Sequence, residues 1–221
     1  MRSDNTRHIT RLISEGEHQQ LDFKFEIADA SKIARTLVAF ANTDGGRLLV
    51  GVKDNGALAG VRSEEEYYMV EAAAALYCKP PVGFQVKEWE IGKKTILEII
   101  IPKSDSRPHY AKHKEGEWVA YHRVKDQNFP VNRILMRVWQ LEDGPKGVYL
   151  TITDAERFLL DFLDAHESIT LSKFCRLAGI SRKKAENILV RFILLRLVSM
   201  HFNENLTFFT RGPGAGTPDN P

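Results

Sequence analysis

Cysteine is scarce: Cys78 and Cys175 are the only two in 221 residues, and they fall in what read as separate helices of separate domains. That argues against a disulfide framework or a cysteine-rich metal module, and both thiols are expected to be buried apolar groups. Long hydrophobic runs are missing too. Nothing approaches the ~20 apolar residues that a membrane helix needs, and Met1 to Thr10 is polar without a signal-peptide core, so a cytoplasmic protein with no membrane partner is expected. An excess of one charge is also absent, since 31 Lys and Arg stand against 29 Asp and Glu. The balance alone does not demand a polyanionic partner. A P-loop is lacking as well: Gly92-Lys93-Lys94-Thr95 has no upstream glycine and sits in a hairpin, so no nucleotide site of that type is expected. His109 and His113 have a spacing that would suit zinc on a helix, but Pro108 and Gly116 make a helix there unfavourable.

What is present is ordinary globular composition, 43% hydrophobic and 27% charged, in a chain long enough for two domains that each bury a core. The stretch from Glu17 to Gly60 organises the rest. Gln20 to Phe25 alternates Leu21, Phe23 and Phe25 with Gln20, Asp22 and Lys24, the period of a strand with one core face. Asp22 and Lys24 are expected side by side outside that core. Ser31 to Ala41 has apolar residues at helical spacing, with Asp29 or Ser31 available as a cap. Gly45 and Gly46 close the helix, Arg47 to Val52 is a buried strand, and Asp54-Asn55-Gly56 is a tight turn.

Further along, Ser63 to Glu66 reads as a capping box for a helix running to about Cys78. Val82 to Glu90 and Lys94 to Ile101 form two strands, Lys103 to Gly116 a basic loop or ragged hairpin beside the sheet, and Trp118 to Val124 another strand. Asn132 to Leu141 is an amphipathic helix expected to pack on the first domain. The domains are expected at 1–143 and 151–211, joined by a Gly-Pro-Lys-Gly linker at 144–150 and followed by a disordered tail at 212–221.

Between Ser168 and Arg211 the cations are Lys173, Arg176, Arg182, Lys183, Lys184, Arg191, Arg196 and Arg211, opposed by Glu186 and Glu204. A short helix to Ala178, the turn Gly179-Ile180-Ser181 and a basic helix from Arg182 to Arg196 make a helix-turn-helix. The alternating segment Ser199 to Thr210 makes a hairpin wing. The fold class is therefore α+β, a mixed-sheet domain followed by a small winged helix-turn-helix. Arg182, Lys183, Lys184, Asn187 and Arg191 are the expected nucleic-acid contacts, with Asn187 suited to an adenine. The competing reading is a dimerisation or protein-docking module whose basic residues are merely solvated.

The central stretch resembles the Schlafen AlbA_2 family, whose domains are described as DNA-binding. The residues that carry the resemblance are Leu21-Asp22-Phe23-Lys24, Ala39-Phe40-Ala41-Asn42-Thr43, Gly45-Gly46, Gly51-Val52 and Gly60. The family usually closes its domain with an aromatic, an apolar residue, an arginine and Val-Gly-Ser. Here Tyr121-His122-Arg123-Val124 leads into Lys125-Asp126-Gln127, so the arginine is kept and the glycine-serine is not.

Glu17, Asp22 and Asp54 are three carboxylates that would converge if their strands are neighbours, and such a set holds Mg²⁺ or Mn²⁺ for phosphodiester cleavage. The resemblance implies the same trio, because some family members cleave RNA with acids at these positions; Asp22 is shorter than the usual glutamate. Against it stands the plainer reading that Asp22 and Lys24 form a solvated strand face and Asp54 a turn. Lys24 and Arg123 are then candidate anion contacts. The leading expectation is a DNA-binding transcriptional regulator with DNA or RNA as partner and no cofactor. The alternative is a ribonuclease dependent on Mg²⁺ or Mn²⁺, and a third reading is a homo-oligomeric scaffold.

Overall fold

The computed structural model describes residues 2–113, 116–142 and 152–214, with side chains from residue 6 onward. It divides into two compact units, Met1–Val131 and Asn132–Pro221.

In the first unit the order is α1 (Arg2–Glu15), β1 (Leu21–Lys24), α2 (Ala30–Asn42), β2 (Gly46–Val50), α3 (Glu65–Leu76), β3 (Cys78–Lys79), β4 (Gln85–Ile91), β5 (Lys94–Ile101), β6 (Tyr110–Lys112), β7 (Trp118–Val124) and β8 (Gln127–Pro130). The strands make two four-stranded sheets, β1-β2-β5-β4 and β3-β6-β7-β8. The first sheet is mixed: β1 runs parallel to β2, whereas β2–β5 and β4–β5 are antiparallel. The α+β class with a mixed sheet expected from the sequence is observed.

Helix α2 sits between the sheets. Its residues Leu37, Val38, Phe40 and Ala41 share a core with Leu48, Val50 and Ile99 of the first sheet and with Ala111 and Tyr121 of the second. A helix covered on all sides needs apolar or small residues all round, which is what Thr36 to Ala41 supplies. Asp29 caps it, its Oδ1 accepting from the N–H of Ser31 at 2.9 Å. The opposite face of the first sheet carries Leu21, Phe23, Leu49 and Ile96, and α1 closes it with Ile9 and Leu12. Both faces of β1 are therefore covered, which corrects the expectation of one wet face.

The second unit holds α4 (Arg133–Glu142), α5 (Asp154–Ala165), α6 (Leu171–Ala178), α7 (Arg182–Leu194), β9 (Val198–Phe202) and β10 (Thr207–Arg211). Thr170 and Ser181 cap α6 and α7 through their side-chain oxygens, and Gly179 ends α6 in the left-handed conformation at φ 62°. β9 and β10 form an antiparallel hairpin, to which Ile169 adds a single bridge opposite Phe209.

Helix α4 belongs to this unit, not to the first as its sequence position suggested. Ile134 and Val138 share a core with Val190 and Phe192 of α7. Their burial there removes the apolar stripe of α4 from water, a gain of about 1.5–3 kcal/mol per large side chain. The compact unit thus begins at Asn132, earlier than the boundary placed at 144–150. That linker and the tail from 215 onward lie outside the described residues.

Candidate nucleic-acid interface

Cross-strand pairing fixes where β1 points its polar residues. Asp22 lies opposite Leu48 and Lys24 opposite Val50, so both share the face that meets α2. Asp22 is buried, 5% exposed, and Arg123 on β7 is 1% exposed. The Arg123 Nη2 lies 3.6 Å from Asp22 Oδ1. Its other donors are also engaged, with Nε donating to His18 O at 3.1 Å, Nη2 to Leu21 O at 3.1 Å and Nη1 to Asn128 Oδ1 at 3.1 Å. The guanidinium lies over the Phe40 ring, 4.6 Å from its centroid. Arg123 is thus an internal tie between β7 and the edge of β1. It does not face solvent, which corrects its assignment as an anion contact, because a buried guanidinium whose three nitrogens all donate within the fold is not presented to a phosphate.

Lys24 is similarly committed. Its Nζ is 3.1 Å from Asp22 Oδ2 and donates to Phe23 O at 2.8 Å. Glu17 Oε1 accepts from the N–H of Phe23 at 2.8 Å. Burial raises the Glu17 carboxyl above its ordinary value, and a hydrogen bond with Asp22 pushes the same way, with the Phe23 N–H opposing. A bond between two carboxyl groups needs a proton on one of them. Burial lowers the Arg123 guanidinium, and the nearby charges of Asp22 and Glu17 counteract that.

Two members of the expected carboxylate trio are therefore together, and the third is apart. Asp54 is exposed in the turn after β2, and among the described residues no group of three or more His, Cys, Asp or Glu is placed to hold a metal ion. The two oxygens of Asp22 already face Arg123 and Lys24. These residues do not fit a Mg²⁺ or Mn²⁺ site: cationic side chains stand where the ion would need open oxygens.

The Ala39 to Thr43 motif joins the layers. Asn42 is fully buried; its Nδ2 donates to His109 O at 2.9 Å and Tyr121 O at 2.8 Å, and its Oδ1 accepts from the His109 N–H at 2.7 Å. Thr43 Oγ1 accepts from the Arg123 N–H at 3.0 Å. Gly45, at φ 69°, lets the chain turn where a Cβ would stand 2.7 Å from Lys103 N. His122, beside Arg123, is 4% exposed, and burial lowers its pKa to about 4.

The second unit places its expected contacts unequally. Arg182, Lys183, Lys184 and Asn187 are exposed, although Arg182 Nε lies 3.1 Å from Glu186 Oε1. Arg176 on α6 is exposed near Arg182, and Lys173, also exposed, holds its ammonium 4.9 Å from the centroid of the Phe162 ring on α5. Arg191 instead pairs through Nη2 with the buried carboxylate of Glu156, so it ties α7 to α5, a correction to its place among the contacts. Asn187 Oδ1 accepts from Arg137 Nη1 of α4 at 2.7 Å.

The sequence reading missed one buried centre. Glu98 on β5 is 1% exposed, and Arg47 Nε lies 2.9 Å from its Oε1. Trp89 Nε1 donates to Oε2 at 2.9 Å, and His8 Nε2 is 3.1 Å from the same oxygen. A lone acid in the run Ile96 to Ile101 was the available signal, since a carboxylate in a buried strand needs partners.

The family model described as Schlafen, AlbA_2 matches residues 17–132, just over half of the 221 residues. No curated protein matches the chain. Among solved structures, the DIP2311 protein of Corynebacterium diphtheriae is similar at 20% identity with a TM-score of 0.44, over 66% of this chain and 34% of that one. The chain thus spans about a third of the diphtheria protein's length. The N-terminal domain of an ATP-dependent DNA helicase RecG-related protein from Nitrosomonas europaea is similar at 20% identity with a TM-score of 0.39, over 66% of this chain and 95% of that domain.

Proposed function

Because the chain belongs to the Schlafen AlbA_2 family, we propose that it is a nucleic-acid-binding protein, a DNA-binding regulator whose second unit is a winged helix. The observation that carries this reading is the corner formed by α6 and the start of α7, where Lys173, Arg176, Lys183 and Lys184 are all exposed. The order α5, Ile169 bridge, α6, α7 and hairpin is the element sequence of a winged helix-turn-helix, and a clustered basic face is the electrostatic footprint of a nucleic-acid partner. The family assignment supports a nucleic-acid-related role independently of that corner.

The ribonuclease reading has less behind it. It needs three open acids, and Asp22 is engaged by two cations while Asp54 stands alone. The pair Glu17 and Asp22 serves the fold.

Fluorescence anisotropy of the full chain on labelled duplex DNA and on a hairpin RNA, across a salt series and with or without Mn²⁺, tests the proposal. Duplex binding that weakens steeply with salt, with both nucleic acids intact on a denaturing gel, is expected. Absence of duplex binding at about 50 mM salt would overturn it. Mn²⁺-dependent RNA fragments would replace it with the nuclease.

A further inference from the structure

Resting on the winged-helix reading, we propose that the second unit docks on duplex DNA through backbone phosphates at the α6–α7 corner, without reading bases, because α4 occupies the face of α7 that would enter the groove. Successive residues of a helix are turned by about 100°. Ala185, Ile188, Leu189 and Phe192 therefore lie on one side of α7, and Lys183, Asn187, Val190 and Leu194 on the other. The first set is the domain core. The second is the side that a recognition helix would present to base edges.

That second side is open at Lys183 and Asn187 but closed from Val190 onward. Val190 is 2% exposed, in one core with Ile134 and Val138 of α4. Arg137 of α4 holds the amide oxygen of Asn187 at 2.7 Å. At its start α4 also reaches the hairpin, where Asn132 Nδ2 donates to Thr207 Oγ1 at 3.2 Å. One helix therefore bridges from the wing to α7, across the elements that would read sequence.

Size decides what this leaves possible. A packed helix is about 10–12 Å across with its side chains, whereas the major groove is about 12 Å wide and 8.5 Å deep. α7 and α4 together are too wide to enter. Among the described residues, the first turn of α7 and the exposed side of α6 stand clear of α4, and both are basic. Lys173, Arg176, Lys183 and Lys184 meet phosphates there, and Arg182 is held by Glu186. Phosphate contacts position a protein on a duplex but carry no sequence information.

The test uses the full chain on three labelled duplexes of equal length and unrelated sequence, with affinity measured over about 50–200 mM salt. The three are expected to bind within about threefold of one another, whereas each mismatch in a base-reading site would cost roughly five- to hundredfold. Lys183→Ala and Lys184→Ala should each weaken all three equally and make the log–log salt slope shallower by about 0.9. Asn187→Ala should leave every affinity unchanged. A tenfold or larger preference for one duplex that Asn187→Ala abolishes would overturn the proposal. So would wild-type binding whose salt slope the two lysine variants leave untouched, which would place the DNA elsewhere and leave the general nucleic-acid reading standing. If no duplex binds at all, the DNA-binding reading falls with it.

Discussion

Replacing Arg123 with Met separates an internal tie from a ligand contact. The substitution keeps an unbranched apolar stem and removes the guanidinium. Breaking a buried ion pair by deleting one partner costs about 3–5 kcal/mol. Here two features argue for the lower end. Asp22 retains Lys24 at 3.1 Å, and the carbonyls of His18 and Leu21 keep each other's N–H groups at 3.2 and 3.0 Å. The expected loss is therefore about 3 kcal/mol. For the first unit, Met1–Val131, an unfolding entropy of about 2.1 cal/mol/K per residue gives roughly 0.27 kcal/mol/K, so its transition should fall by about 11 °C. Scanning calorimetry of the full chain reads this directly. Lys24→Met is the comparison: its side chain is 37% exposed, and losing the ammonium should cost less than about 1 kcal/mol. Asp22→Asn combined with Arg123→Met should recover part of the loss, since no carboxylate is then left without its buried partner. A transition that moves by less than about 3 °C in Arg123→Met, together with weakened nucleic-acid binding, would refute the assignment of Arg123 to the interior.

Three further outcomes follow from the same unit. His122 is held neutral with a pKa of about 4 against an ordinary 6.5, so its contribution to stability is intact above pH 6.5 and is lost as pH falls through about 4; the shift is worth up to about 3 kcal/mol. An NMR titration in which its ring signals change near pH 6.5 in the folded protein would contradict this. The raised Glu17 carboxyl has the opposite sign, because the folded state binds more protons than the unfolded one. Stability should therefore decline as pH rises from the ordinary carboxylate value through the raised one, and Glu17→Gln should flatten that decline in urea titrations while keeping the bond from Phe23. Gly46→Ala puts a Cβ 2.4 Å from the Phe40 ring and should destabilise by about 1–3 kcal/mol, measurable by chemical denaturation; a neutral effect would mean that α2 repacks freely.

Local pattern revealed elements better than it revealed what covers them. The alternation through Gln20 to Phe25 marks β1, and the uncharged run Thr36 to Ala41, apolar or small throughout, marks helical turns buried on every side. Period alone cannot say what lies over the second face of a strand, and the cover of Asp22 arrives from Arg123, about a hundred residues further along. The short strands β3, β6 and β8 span two, three and four residues, too few for any period to register. The helix α4 was legible as amphipathic, yet its stripe does not name the core it joins. A clue was present in α7: Val190 is an apolar residue on the side otherwise marked by Lys183 and Asn187, which implies a partner packed there. The same logic applies to Arg191, whose acid Glu156 lies on α5 and is not a neighbour in sequence.

Asn42 has a consequence for how the first unit comes apart. Its one amide closes bonds to His109 and Tyr121 from the end of α2, so the second sheet cannot leave α2 without stranding a buried polar group worth about 1–3 kcal/mol, and α2 also shares its apolar core with the first sheet. The two sheets are therefore coupled in unfolding, and β2 and β7 should share one opening free energy in native-state hydrogen exchange. A chain cut between β5 and β6 would not yield two smaller domains, since each piece would carry half of a lock.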